Sequence, residues 1–284
     1  MPLGTSFKQE ICSLFGYPVA GNPTQYMMER AFAHHGLDWR YLTLEIPPES
    51  LEDAVRGMRA MGFRGGNITL PHKTAVVPLL DRVSEAAGLM GAVNCIVREG
   101  NSLVGENADG KGFLQSLAGV IEPAGARVVL LGAGGAAHAI AVELALAGAG
   151  ELVIVNRTAE PGQQLTELIN TKTSQPARFV PWEGVYEAPA ETQLLINATS
   201  IGLNDEDAKI PVALDALPQS AVVADVIFNP PVTWLLRQAR ERGLTTVDGL
   251  GMLVNQALIC FRLWTGIEPD ARVMREALEE YLEI

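Results

Sequence analysis

The stretch from Arg127 to Leu131 is a compact strand-forming run that leads directly into Gly132-Ala133-Gly134-Gly135-Ala136-Ala137, and a helical pattern then continues to about Ala147. No other feature of the chain limits its fold as tightly. A strand, a Gly-x-Gly-x-x-Ala turn and a helix together open a βαβ unit that holds a dinucleotide. The first glycine permits the tight turn, and the second lets a diphosphate approach the backbone. The small third position lets helix and strand pack closely. Diphosphate oxygens then rest on the N–H groups at the helix start, where the helix dipole favours negative charge. Gly132, Ala133, Gly134, Gly135 and Ala136 are therefore expected to line a cofactor.

The next strand, Glu151 to Val155, ends at Asn156-Arg157-Thr158. An acid at this strand end normally holds the adenosine ribose hydroxyls and marks NAD. None stands there. Arg157 offers a planar cation for a 2′-phosphate and a surface for stacking on adenine. NADP is favoured, with NAD kept as the alternative because Glu160 lies close by and no second base does. Further strands are expected at Leu194 to Asn197, Ala221 to Val226 and Thr245 to Asp248, followed by helices at Leu250 to Trp264 and Ala271 to Tyr281.

The first hundred residues alternate short apolar runs with helical patterns. Strands are expected at Ser13 to Gly16, Trp39 to Leu44 and Gly66 to Thr69, with helices at Gln25 to His35 and Leu51 to Met61. Val93 to Arg98 and Ser102 to Val104 read as a hairpin around Glu99-Gly100-Asn101. This order implies an α/β fold with an open, mixed or largely parallel sheet in each of two domains. Residues 1–112 would form one and 113–249 the dinucleotide domain. A chain of 284 residues is the right length for two cores.

Composition narrows the partners. The formal charge of −12 argues against nucleic acid or an anionic membrane surface, and any anionic ligand must be held by local donors. Three cysteines, Cys12, Cys95 and Cys260, are scattered in sequence without metal-binding spacing, which suits reduced thiols and a cytoplasmic setting. No metal site is expected.

Chemistry concentrates in Asn67-Ile68-Thr69-Leu70-Pro71-His72-Lys73 and in Gly105-Glu106-Asn107-Ala108-Asp109-Gly110. Lys73 suits proton transfer to or from a reacting hydroxyl. Asp109 would orient it, stabilise its cationic form and accept a bond from the same hydroxyl. Asn67, Thr69 and Asn94 are short polar groups at strand ends, where an α/β sheet presents ligand-binding side chains. A Lys/Asp pair in a chain with a dinucleotide loop points to alcohol oxidation or its reverse.

Along essentially its whole length the chain resembles the shikimate dehydrogenase family. The motifs Asn-Ile-Thr-x-Pro-x-Lys, Gly-Ala-Val-Asn, Gly-x-Asn-x-Asp-Gly, Gly-Ala-Gly-Gly-Ala, Asn-Arg-Thr, Asn-Ala-Thr-Ser-x-Gly and a late Gly-Met-x-x-x-Gln occur in order. The resemblance implies an N-terminal substrate domain with 250–284 packing back on it, a Rossmann domain and an active site in the cleft between them. It implies Lys73 and Asp109 as the catalytic pair, with Asn67, Thr69, Asn94 and Gln256 around a small cyclic hydroxy acid such as shikimate or quinate. Asn197, Thr199, Ser200, Val226 and Gly249 would border the cofactor, and the protein would be a monomer or homodimer.

The departures from the family pattern cluster in one place. Where the family usually has a Ser-x-Ser pair for the substrate carboxylate, this chain has Asn22 and Thr24, which can still donate hydrogen bonds to it with altered geometry. Phe228 stands where a tyrosine is common, and Ala108 replaces a threonine beside Asp109. Each lost hydrogen bond to a charged group costs about 1.5–3 kcal/mol. The proton-transfer residues are intact while the specificity positions are altered, which describes a divergent paralogue. A non-catalytic sensor of cofactor and metabolite is the rival expectation; the retained Lys73 and Asp109 count against it.

Overall fold

The computed structural model describes residues 8–284. They divide into two compact units, one holding the described residues through Ala108 together with Ala257–Ile284, the other Asp109–Gln256. In chain order the elements are β1 (Glu10–Gly16), α1 (Thr24–His34), β2 (Trp39–Glu45), α2 (Leu51–Met61), β3 (Gly65–Ile68), α3 (His72–Ala75), β4 (Arg82–Val83), α4 (Glu85–Met90), β5 (Cys95–Glu99), β6 (Ser102–Glu106) and α5 (Ala108–Ser116). They continue with β7 (Arg127–Leu131), α6 (Gly135–Leu146), β8 (Glu151–Asn156), α7 (Ala159–Lys172), β9 (Ala177–Pro181), β10 (Tyr186–Glu187), β11 (Leu194–Asn197), β12 (Val212–Ala213), β13 (Val222–Asp225), α8 (Trp234–Glu241), β14 (Thr245–Val247), α9 (Gly249–Thr265) and α10 (Ala271–Leu282).

The first unit carries a six-stranded sheet in the order β2-β1-β3-β5-β6-β4. β1 pairs in parallel with both β2 and β3. β5 runs antiparallel to β3 and β6, as the expected hairpin requires. The short β4 was not foreseen: two residues, Arg82 and Val83, carry no alternation to read. β2 is an edge strand, and α1 closes it. Gln25 Oε1 accepts from Thr43 N at 3.0 Å, and Glu29 accepts from Tyr41 N. Two otherwise open strand amides are thus taken by side chains one helical turn apart.

α9 reaches this sheet through one glycine. A Cβ on Gly65 would lie 2.2 Å from Ile96 O and 2.4 Å from Trp264 Nε1. The bare Cα admits the indole, whose N–H donates to Ile96 O at 2.9 Å. On the other face, where a Cβ on Gly66 would meet Met58 at 3.0 Å, a core of Phe15, Val55, Met58, Ile68 and Leu103 is buried.

The second unit holds six parallel strands in the order β14-β13-β11-β7-β8-β9. Counted from β7, this is the 3-2-1-4-5-6 arrangement of a dinucleotide-binding sheet. β7, β11 and β13 are almost wholly apolar and buried, as strands covered on both faces must be. β9 escaped the sequence reading because it is a half-exposed edge strand with Arg178 inside and Pro181 at its end, a composition confined to sheet edges. α7 carries Pro161 within its first turn, where no amide is missed. Its Gly162 is needed: a Cβ there would meet the Phe179 ring at 2.4 Å. No described helix is long and apolar enough to cross a membrane.

Candidate functional site

In the second unit β7 and β11 are neighbours in the sheet although three strands intervene in sequence. Chain direction across the sheet reverses there, and a crevice opens beyond the strand ends. Gly132 follows β7 with φ +107. A Cβ on it would sit 3.0 Å from both Ala198 O and Thr199 Cγ2, so backbone angle and space both require glycine. Gly134 and Gly135 have no atom within 4 Å of where a Cβ would be, and Ala136 follows them on α6. Gly134 begins α6 in an extended conformation, with no side chain bonded to the first-turn amides. An open glycine backbone and a helix start lacking side-chain caps fit the diphosphate of a dinucleotide.

At the end of β8, Asn156 Nδ2 donates to Thr158 O at 2.8 Å and shapes the turn. Arg157 is exposed and borders a hollow of about 500 Å³ lined by Trp182, Val185, Ile201 and Pro211. This suits an adenosine half with a phosphate near the guanidinium. On the other side of the switch point Asn197 is fully buried, and its amide is engaged by protein on every side. Nδ2 donates to Asp225 Oδ1 and Ile201 O, while Oδ1 accepts from Thr199 N and Oγ1. The loop therefore offers Thr199 and Ser200, with Asn197 as their anchor. Val226 N donates to Asn197 O at 3.0 Å. Gly249 lies so close to Val226 and Ile227 that a Cβ would come within 2.6 Å of both carbonyls.

The first unit repeats this geometry. β1 lies between β2 and β3, so the chain leaves β1 and β3 at a second switch point. Thr69 N donates to Phe15 O at 2.9 Å and Tyr17 N to Leu70 O at 3.0 Å. A Cβ on Gly16 would collide with Thr69 Cγ2 at 2.5 Å. Asn67 is 5% exposed. Its Oδ1 accepts from Tyr41 OH at 2.7 Å, and its Nδ2 donates to Asn94 O at 3.1 Å and Cys260 Sγ at 3.3 Å. Asn94 Oδ1 in turn accepts from Ala108 N at 2.7 Å, the residue before Asp109.

Lys73 lies half-buried on α3, and its carbonyl accepts from Val93 N at 2.8 Å. The neighbouring His72 is buried with Nε2 2.7 Å from Ile46 O, which locks the turn carrying the lysine. Asn22 Oδ1 accepts from Thr24 N at 2.9 Å, so its amide closes the turn into α1. Glu45 Oε1 accepts from Val19 N and Ala20 N and holds the same loop from the end of β2. In the second unit Asp109 lies half-buried in the first turn of α5. Gln256 is buried on α9, with Nε2 donating to Leu253 O at 3.0 Å.

Three groups escaped the sequence reading. Tyr41 is fully buried, and burial holds its hydroxyl pKa well above the ordinary range, so it stays a donor. Cys260 comes from the far end of the chain. The cysteines, scattered in sequence, meet in space: Cys260 lies beside both Cys12 and Cys95, and burial holds the Cys12 and Cys95 thiols well above their ordinary range. All three are free and buried. Asp225 is the third, and its one visible signal was a carboxylate ending an apolar strand. Among the described residues no cluster could hold a metal ion.

Comparison with known proteins covers nearly the whole chain. Family models match for the shikimate dehydrogenase substrate binding domain (residues 14–96), shikimate/quinate 5-dehydrogenase (116–248) and the shikimate 5′-dehydrogenase C-terminal domain (249–279). The NADP(+) shikimate dehydrogenase of Methanopyrus kandleri is 40% identical over 277 residues, 96% of each chain. Among solved structures, ligand-free 5-ketofructose reductase of Gluconobacter sp. strain CHM43 is 49% identical with a TM-score of 0.95, over 97% of this chain and 99% of that one. Shikimate 5-dehydrogenase of Listeria monocytogenes, in complex with shikimate and NAD, is 34% identical with a TM-score of 0.89, over 95% and 96%. Two switch-point sheets, a glycine loop and the family motifs on both thus agree with every comparison: the chain belongs to the shikimate dehydrogenase family and is an NAD(P)-dependent dehydrogenase of that type.

Proposed function

We propose that the protein interconverts a ketone and a secondary alcohol on an uncharged polyhydroxy substrate of the 5-ketofructose kind, with NADP as the preferred cofactor. The nicotinamide, when bound, supplies or takes the hydride at the carbonyl carbon. Lys73 gives a proton to the carbonyl oxygen in reduction and recovers it in oxidation. Asp109 orients the lysine and accepts from the substrate hydroxyl. Thr69, Asn94 and Gln256 contact further hydroxyls, and Asn67 holds the loop that presents them. Gly132 to Ala136 hold the diphosphate, Asn156, Arg157 and Thr158 the adenosine end, and Thr199, Ser200, Val226 and Gly249 the nicotinamide end.

One observation carries the substrate reading. Asn22, where the family has a carboxylate-binding serine, has its amide oxygen tied to Thr24 N, which leaves Nδ2 as its donor, and no lysine or arginine lies between Gly16 and Thr24 to add a cation. A carboxylate needs several donors or a cation to replace its water. A sugar hydroxyl or ketone is satisfied by one. The 49% identity to a ketofructose reductase supports the same class. A ring carboxylate, shikimate, is the second reading, favoured by curated relatives at about 40% identity.

Parallel kinetics decide between them: NADPH-dependent reduction of 5-ketofructose against NADP- and NAD-dependent oxidation of shikimate and quinate. The expected result is a kcat/KM for the ketose at least a hundredfold above that for shikimate. A reversed ratio assigns the ring acid, and cofactor binding without turnover of any of them rejects both substrate readings.

A further inference from the structure

β13 is an apolar, buried strand that ends in a carboxylate. Asp225 is 1% exposed, and each hydrogen bond the structure gives it comes from a neutral donor. Oδ1 accepts from Asn197 Nδ2 and Ile227 N, each at 3.0 Å, and Oδ2 accepts from Thr233 Oγ1 at 2.7 Å. Burying a carboxylate without a cation is unfavourable, and burial raises the acid's pKa to about 6. A group kept at that cost has a role that packing alone does not require.

Its three donors come from three different segments beyond the strand ends. Asn197 closes β11, Ile227 follows β13, and Thr233 caps α8, where its hydroxyl also accepts from Leu236 N. Asn197 relays the constraint to Thr199, whose Oγ1 accepts from Ile201 N at 3.1 Å. Ala198 and Thr199 in turn lie against Gly132, the first glycine of the dinucleotide loop. Ile227 and Val226 lie against Gly249. With the adenosine half directed to the end of β8 by Arg157, the other half of a dinucleotide lies over β11 and β13.

We propose that Asp225 is the positioning residue for the nicotinamide half of the cofactor site, fixing segments 197–201 and 226–229 as one rigid surface. This rests on the dinucleotide reading of the second unit. A single anionic acceptor can hold three donors from three segments at once. An amide of the same shape turns a donor toward Thr233 Oγ1, which already donates to that point, and the α8 end of the clamp loosens.

The test is a fluorescence titration of NADPH against full-length wild type, Asp225→Asn, Thr233→Val and Thr233→Ser, with the melting temperature of each ligand-free protein. Asp225→Asn is expected to raise the NADPH Kd at least tenfold while melting no lower than wild type. Thr233→Val is expected to raise it in the same direction, and Thr233→Ser, which keeps the hydroxyl, to restore it. Should Asp225→Asn fail to fold, the threonine pair carries the test alone. Binding within twofold of wild type in Asp225→Asn or Thr233→Val overturns the proposal, as does a lowered melting temperature with unchanged Kd, the mark of a purely structural group. Wild type that binds neither NADPH nor NADP overturns the cofactor reading itself.

Discussion

The Tyr41 hydroxyl donates to Asn67 Oδ1 at 2.7 Å across the interior of the first unit. Tyr41 is on the edge strand and Asn67 on the strand two places away, and the bond sets which way the asparagine amide faces. Tyr41→Phe removes the donor and leaves a buried acceptor unpaired, which costs about 1–3 kcal/mol. A lower melting temperature is expected, with KM for the substrate raised severalfold and kcat changed less. An unchanged KM would show that Asn67 is held by Asn94 O and Cys260 alone.

Lys73→Ala is expected to lower kcat by several orders of magnitude with little change in KM, because the lost proton transfer belongs to the transition state. NADPH affinity measured by fluorescence should match wild type. Near-normal turnover would remove Lys73 from the mechanism.

Arg157→Gln should raise KM for NADP by roughly ten- to a hundredfold, the equivalent of one charge-assisted hydrogen bond. KM for NAD, which has no 2′-phosphate, should barely move. Equal effects on both cofactors would mean that Arg157 stacks on adenine without reading the phosphate.

Gly65→Ala tests the seat of α9. A methyl there meets Ile96 O at 2.2 Å and the Trp264 ring at 2.4 Å. Overpacking of this kind costs about 1–3 kcal/mol, readable as a lower urea midpoint. An unchanged midpoint would mean that the indole moves aside freely.

Asp225 predicts a pH dependence of stability. Burial raises its folded pKa from 3.8 to about 6, so the folded state holds this proton more tightly than the unfolded chain. Its contribution is fully present below about pH 4 and is lost as pH rises to about 6. The loss amounts to about 3 kcal/mol by linkage. Comparing wild type with Asp225→Asn isolates it: the stability difference in favour of the asparagine variant should grow between pH 4 and 6 and then level off. A pH-independent difference would place the pKa near its ordinary value.

Much of this was legible in the chain itself. The helix Leu51–Met61 with its closing Gly62, the strands Arg127–Leu131 and Leu194–Asn197, and the glycine loop were read to the residue, because local pattern and turn chemistry agree there. The edge strand β9, the two-residue β4 and the helices α5, α7 and α8 were not named, since weak alternation, Pro161 and Gly162 blur their signals. The substitutions at Asn22, Thr24, Ala108 and Phe228 were visible only as chemistry missing from a pattern.

The sequence by itself determined the αβ alternation and the glycine loop, because each rests on residues adjacent in the chain, and it nominated Lys73 and Asp109 for proton transfer. Only the tertiary structure decided that Gly16 meets Thr69 and Gly132 meets Thr199, that Tyr41 and Cys260 hold Asn67, and that Asp225 joins three loops. Those relationships depend on strand order and on backbones approaching to within a methyl group. Parallel pairing brings together residues tens of positions apart, and no local periodicity records which strand will be the neighbour.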